Sequence, residues 1–346
     1  MSFLKDYSLN LKENDYHAYP AWSYSIIAKY AKEGFGALAT LHDRKEPTPS
    51  MEFGSLFDSM LTKGKKTLDE YAVYEGEVPP AEKKVLDLLV HYADTSNFNE
   101  VPREVIMQVT EAYQYYPKWG FDARFKHLNE YADYYALAYS GKKIVSKQDW
   151  DDAVDMYKVF RNDPYLKELF GTKNTKEKEY LYQTQFCVDY TLDSGKEVKV
   201  KIMPDLLVVN HADKTIQPVD LKTSQMPAWD FKENFLKFRY DIQAKLYSDV
   251  LALVIDRDTE MRDYTILPYL FTDISRTDKV PVTYVYDQTD ESQANGFTFS
   301  VSDKTYSYKS WQTLLDEIIS YEEAEAKVPS YITTEGPNDL LSILSR

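Results

Sequence analysis

Near residue 179 the spacing of apolar residues changes from helical to alternating, so the chain must combine two kinds of structure. Before it, the spacing predicts helices over 22–32, 50–63, 79–92, 101–116, 121–140 and 147–170, with polar turns between them. After it, YLYQTQFCVDYTL, KEVKVKIMPDLLVVN and KTIQPVDLKT read as three successive strands. Turn chemistry separates them at Asp193-Ser194-Gly195 and at Asn210-His211-Ala212-Asp213. A long helix is predicted over about 229–255, then strands over 263–273 and 280–287, then a closing helix near 308–326.

This pattern predicts an α/β (α+β) architecture, a small mixed sheet flanked by helices with a large helical N-terminal half. The expected division is 1–178, a helical region, and 179–346, the core, joined in one compact unit. With 346 residues, 43% of them hydrophobic, the chain can bury one large core or two smaller ones. No repeat, low-complexity tract or long Gly/Pro/Ser linker forces a split. No run approaches the roughly 20 apolar residues of a membrane span, and MSFLKDYSLNLKEND lacks the basic and apolar regions of a secretion signal. A soluble, cytoplasmic protein without a membrane partner is expected. The single cysteine, Cys187, excludes an internal disulfide and a four-cysteine iron–sulfur cluster.

The chemistry concentrates in MPDLLVVNHADKTIQPVDLKTS. If its two strand-like runs form a hairpin, Asp205 and Asp220 converge, and alternation puts Asp220 and Lys222 on one face. Two carboxylates and a main-chain carbonyl, that of Leu221, make a partial shell for a hard divalent cation, leaving room for water and phosphate. An adjacent lysine can orient or activate the nucleophile. A hairpin face bearing Asp and Lys is also common with no catalytic role, so D-x-K alone leaves both readings open. Downstream, Tyr240, Gln243 and Tyr247 lie at i, i+3 and i+7, on one helix face. A buried glutamine there needs a polar partner, either a metal site or main-chain groups.

Together these residues resemble the PD-(D/E)XK nucleases, and within them the RecE-like (exonuclease VIII-like) and RecB-like enzymes. Pro204-Asp205 is similar to the family's PD, Asp220-Leu221-Lys222-Thr223 to its D-x-K-T, and Tyr240 to Tyr247 to its Y-x-x-Q-A-x-x-Y helix. Upstream, the segment from Gly54 to Asp58 resembles a G-x-x-x-(H/D) helix whose last residue joins the metal shell. The resemblance covers about 50–65 and 180–331. It implies a restriction-endonuclease-like core and a Mg²⁺- or Mn²⁺-dependent deoxyribonuclease, a phage-type RecE-like exonuclease resecting linear duplex DNA for strand annealing. Asp58, Asp205, Asp220 and the Leu221 carbonyl are the implied metal ligands. Lys222 handles the water, and Gln243, Tyr247 and Tyr240 position the reacting groups. A ring-forming homo-oligomer, a single-strand annealing partner, and a bacterial or phage-infected cytoplasm are implied with it.

One departure stands out. Where many relatives carry a Glu on the preceding strand, this chain offers Gln185, a poorer ligand that puts a second metal position in doubt. That, with a net charge of −15, motivates a rival reading as a nuclease-fold protein that binds DNA or a partner without cutting. A RecB-like or CRISPR-adaptation-type nuclease without the iron–sulfur cluster is a second rival. Basic residues cluster at Lys63, Lys65 and Lys66, at Lys142, Lys143 and Lys147, at Lys173, Lys176 and Lys178, and at Lys232, Lys237 and Arg239. Gly64-Lys65-Lys66-Thr67 lacks the first glycine of a phosphate-binding loop, so no nucleotide cofactor is expected. The five histidines show no zinc spacing. The tyrosines between Tyr113 and Tyr139 fit core packing better than base stacking.

Overall fold

A computed structural model describes residues 3–43, 47–288, 296–301 and 304–324. The chain forms two compact units, one of residues 49–158 and one of residues 1–48 with 159–346. The division expected at residue 178 therefore falls elsewhere, and the opening 48 residues belong with the C-terminal part. In that part α1 (Glu13–Ala18) and α2 (Tyr24–Glu33) lead the chain.

The helical unit comprises α3 (Pro49–Lys63), α4 (Thr67–Glu70), β1 (Tyr71–Tyr74), α5 (Pro80–Tyr92), α6 (Arg103–Ala112), α7 (Phe121–Asn129), α8 (Ala132–Tyr139), β2 (Lys143–Ser146) and most of α9 (Lys147–Asn162). β1 and β2, absent from the sequence reading, pair in parallel. The single helix expected over 121–140 is two, α7 and α8. Val85, Leu86 and Leu89 of α5 pack with Ile106, Leu128 and Tyr135. The tyrosines divide by burial. Tyr134 donates to Asp87 at 2.8 Å and Tyr135 to the Thr95 carbonyl at 2.8 Å, satisfying hydroxyls inside a core. Tyr113 and Tyr116 are exposed.

The other unit continues with α10 (Pro164–Leu169), β3 (Lys178–Tyr182), β4 (Phe186–Thr191), β5 (Glu197–Ile202), β6 (Leu206–Asn210), β7 (Thr215–Ser224), α11 (Phe231–Phe238), α12 (Tyr240–Arg257), β8 (Thr265–Ile266), β9 (Tyr269–Ser275), β10 (Pro281–Tyr286), β11 (Gly296–Val301), β12 (Lys304–Lys309) and α13 (Trp311–Glu323). Its main sheet runs β3-β6-β7-β9-β10, with β8 pairing in parallel with the start of β7. The β3–β6, β6–β7 and β9–β10 pairs are antiparallel, whereas β7 and β9 run parallel. A parallel pair needs a crossover, and α11 and α12 supply it. Buried residues of α12 and α13, among them Ile242, Leu246, Val250 and Leu315, join Leu207, Val209, Ile216 and Phe271 of the sheet in one core. The result is a mixed sheet flanked by helices, as expected for the class. No described helix is long and apolar enough to cross a membrane.

Four expected elements are broken, each by a local cause. The first strand divides into β3 and β4 around Gln183, at φ 48°. The second divides into β5 and β6 at Met203-Pro204-Asp205, where Pro204 has no N–H for a ladder. β4 and β5 then form a two-stranded sheet of their own. The long helix divides at Arg239, at φ 57° and ψ 50°, a left-handed residue that ends α11 and starts α12. The helix expected over 147–170 likewise stops before Pro164, where Asp163 caps α10 by accepting from the Leu166 N–H at 2.9 Å.

The first 48 residues are fastened to β5. Trp22 bridges to this strand, its N–H donating to the Lys199 carbonyl at 2.8 Å. The buried Lys201 ammonium donates to the carbonyls of Tyr16 at 2.7 Å, His17 at 3.0 Å and Tyr19 at 2.8 Å. Three acceptors offset the cost of burying that charge.

Candidate active site

Asp205 immediately precedes β6, and Asp220 lies within β7. The ladder pairs Leu206 with Val219, so one step further Asp205 stands at the level of Asp220. Asp205 Oδ2 accepts the Leu221 main-chain N–H at 2.8 Å. In an extended strand the N–H and C=O of one residue face the same edge, so the Leu221 carbonyl lies on the Asp205 side of β7. Asp205 and Asp220 thus stand side by side on neighbouring strands, as the hairpin spacing predicts.

Asp220 and Lys222 share a face, and Lys222 Nζ lies 2.7 Å from Asp220 Oδ2. Gln243, on the first turn of α12 and buried, links them: its Oε1 accepts from Lys222 Nζ at 3.2 Å and its Nε2 donates to Asp220 Oδ1. This fixes the amide's orientation chemically, since only the carbonyl end suits an ammonium and only the NH₂ end a carboxylate. The ammonium also sits 4.3 Å from the centre of the Tyr240 ring. Burial pulls the Lys222 pKa down, but Asp220, Tyr240 and Asp205 together outweigh it and hold the pKa above the ordinary lysine value. Lys222 is thus an ammonium here. That suits it to orienting water and neutralising phosphate charge, rather than to accepting a proton.

Tyr247 lies deeper. Burial, the Tyr16 phenol and then the Asp220 and Asp205 carboxylates push its hydroxyl well above the ordinary range, so it stays a neutral phenol. Of the α12 face, Tyr240 and Gln243 thus touch Lys222 or Asp220, while the Tyr247 ring lies 6.3 Å from that of Tyr269.

Sequence reasoning missed three neighbours. Tyr24 of α2 donates its hydroxyl to the Phe238 carbonyl at 2.6 Å, capping the end of α11. Tyr269 of β9 is fully buried, and its hydroxyl has no hydrogen-bond partner. Asp273, also on β9, is 1% exposed and pairs in register with Lys222. Burial raises the Asp273 carboxyl to about 7, with the Ser224 hydroxyl and Lys222 pulling it down and Asp278 pushing it up. An acidic residue inside the fully buried run YLFTDIS is the available sequence signal, but the strand was expected to end at Asp273.

Two expected ligands stand differently. The Gln185 side chain closes a two-way amide pair with the main chain of Leu11, accepting its N–H at 2.9 Å and donating to its carbonyl at 2.9 Å. Its polar atoms are committed to anchoring the N-terminal segment, a structural task that accounts for a glutamine here. Asp58 lies on α3 in the helical unit, partly buried, with its carbonyl accepting from the Thr62 hydroxyl at 2.9 Å. The site described above is drawn from the other unit alone. Among the described residues no three His, Cys, Asp or Glu side chains form a cluster suited to a metal ion.

The basic clusters are partly engaged. Lys63 pairs with Glu70, Lys147 with Asp151 and Lys178 with Glu168. Arg239 is buried and makes two 2.9 Å bonds to Asp241, so it is no surface phosphate contact.

No protein-family model matches the chain, and no curated protein is significantly similar to it in sequence.

Proposed function

We propose that the chain is a Mg²⁺- or Mn²⁺-dependent deoxyribonuclease of the PD-(D/E)XK type, a RecE-like exonuclease acting on linear duplex DNA. The observation that carries this reading is the bridge from Gln243 to both Asp220 and Lys222, with Asp205 beside them. A solvated hairpin face needs no buried glutamine tying its Asp to its Lys.

The donor types fit a hard divalent ion: the Asp205 and Asp220 carboxylates on neighbouring strands, with the Leu221 carbonyl as a third oxygen and the Lys222 ammonium standing as a cation against Asp220. Such an ion, when bound, supplies Lewis acidity and a more acidic water. Asp205 and Asp220 are its ligands in this reading. Lys222 stays protonated and holds the attacking water or a phosphate oxygen. Gln243 keeps lysine and carboxylate in register, and Tyr240 supports the ammonium from below. With Gln185 engaged at Leu11, its amide is no argument for a weakened metal site.

The test incubates the protein with linear and circular duplexes, with Mg²⁺ or Mn²⁺, beside Lys222→Ala. Loss of linear DNA that disappears in the variant supports the exonuclease. Nicking of circles moves the reading to an endonuclease. No metal-dependent loss of either substrate, across a range of salt, overturns catalysis and leaves a nuclease-fold binding protein. The ring-forming oligomer, the annealing partner and the phage setting rest on the family resemblance.

A further inference from the structure

Among the described residues Lys222 is ion-paired with Asp220, and that is the group a divalent ion takes in the reading above. Taking Asp220 as a ligand leaves the ammonium competing with the ion for the same oxygens. A half-buried ammonium that loses its partner is left poorly compensated, so either the lysine turns to solvent or a second anion receives it.

Asp273 occupies the position of that second anion. β7 and β9 are parallel neighbours, and register partners on adjacent strands point to the same face. Lys222 thus stands between Asp220, its neighbour two residues back, and Asp273, its neighbour across the ladder. The Asp273 carboxyl is 1% exposed; Oδ1 has no hydrogen-bond partner and Oδ2 has only the Ser224 hydroxyl at 3.4 Å. A buried carboxyl left this bare serves packing poorly, since removing an unsatisfied acceptor stabilises such a site. It is placed to receive charge.

We propose that Asp273 is a positioning residue, the alternate counter-ion to which the Lys222 ammonium turns when a divalent cation engages Asp220. This rests on the metal-dependent reading of the site. It makes the Asp220–Lys222 pair a resting arrangement, and it gives β9 a part in metal affinity without contact to the ion.

The experiment measures Mn²⁺ binding by calorimetry in four proteins: wild type, Asp273→Asn, Lys222→Gln, and the double variant. Asp273→Asn is expected to weaken Mn²⁺ binding about tenfold when Lys222 is present and less than about twofold when it is glutamine, since the residues act through one contact. An equal loss in both backgrounds makes Asp273 a ligand or a plain field effect and overturns the proposal. So does no loss in either. Absence of Mn²⁺ binding by the wild type overturns the metal reading itself, and this inference with it. Thermal melting of the metal-free proteins gives a second measurement. Asp273→Asn is expected to be tolerated alone but to destabilise sharply in an Asp220→Asn background, where Lys222 depends on Asp273. Additive effects there also overturn the proposal.

Discussion

The carboxylate of Asp205 accepts the main-chain N–H of Leu221 at 2.8 Å, which ties the turn before β6 to the middle of β7. The bond makes Asp205 structural as well as a candidate ligand, and two substitutions separate the roles. Asp205→Asn keeps a carbonyl acceptor and should melt near wild type while losing Mn²⁺ binding. Asp205→Ala leaves the N–H unpaired and should cost about 1–3 kcal/mol in urea unfolding besides. Equal stability of the two variants rules out the structural half.

Gln243 binds Lys222 and Asp220 with opposite ends of one amide. Gln243→Leu fills the volume but serves neither partner, and nuclease rate or Mn²⁺ affinity should fall about ten- to a hundredfold. Gln243→Glu should do worse, because it sets a second negative charge against Asp220 in a buried place. Rates that follow side-chain volume and ignore polarity would contradict this.

Asp273 sets a pH dependence in the metal-free protein. Its carboxyl is raised to about 7 by burial, above its unfolded value. Between about pH 4 and 7 the folded state therefore holds a proton that the unfolded state has lost, and stability falls as pH rises through that window. Below it the contribution is fully present; above it the loss is complete. Asp273→Asn should flatten this decline by up to about 1.4 kcal/mol per pH unit in urea unfolding series. Parallel curves for variant and wild type would show that Asp273 does not carry it.

Gln185→Glu should not strengthen metal binding. A carboxylate can accept the Leu11 N–H but cannot donate to the Leu11 carbonyl, so the pair is half lost, at a cost of about 1–3 kcal/mol. Tighter Mn²⁺ binding by this variant would mean that Gln185 does belong to the metal shell.

The residues that strand and helix periods align were readable from sequence. Asp220 and Lys222 alternate on one strand, and Tyr240, Gln243 and Tyr247 repeat along one helix. Asp205 opposite Asp220 followed from hairpin pairing. What escaped reading depended on non-local or backbone effects. Asp273 reaches the site through a parallel register set by a crossover, which no local pattern encodes. Gln183 and Arg239 adopt left-handed angles that their residue types do not announce, so a strand and a helix were drawn as continuous. Gln185 was read against a family pattern, and its partner lies 174 residues away at Leu11.

The left-handed joint at Arg239 also governs how the site comes apart. Tyr240, Gln243 and Tyr247 all ride on α12, which starts at that joint, whose guanidinium is clasped by Asp241 and by the Lys309 carbonyl at 2.8 Å. A local opening of α12 therefore withdraws the glutamine bridge, the ring beneath the ammonium and the deep phenol together. Amide protons of early α12 and mid-β7 should exchange with solvent as one cooperative foldon, making the site's integrity all-or-none.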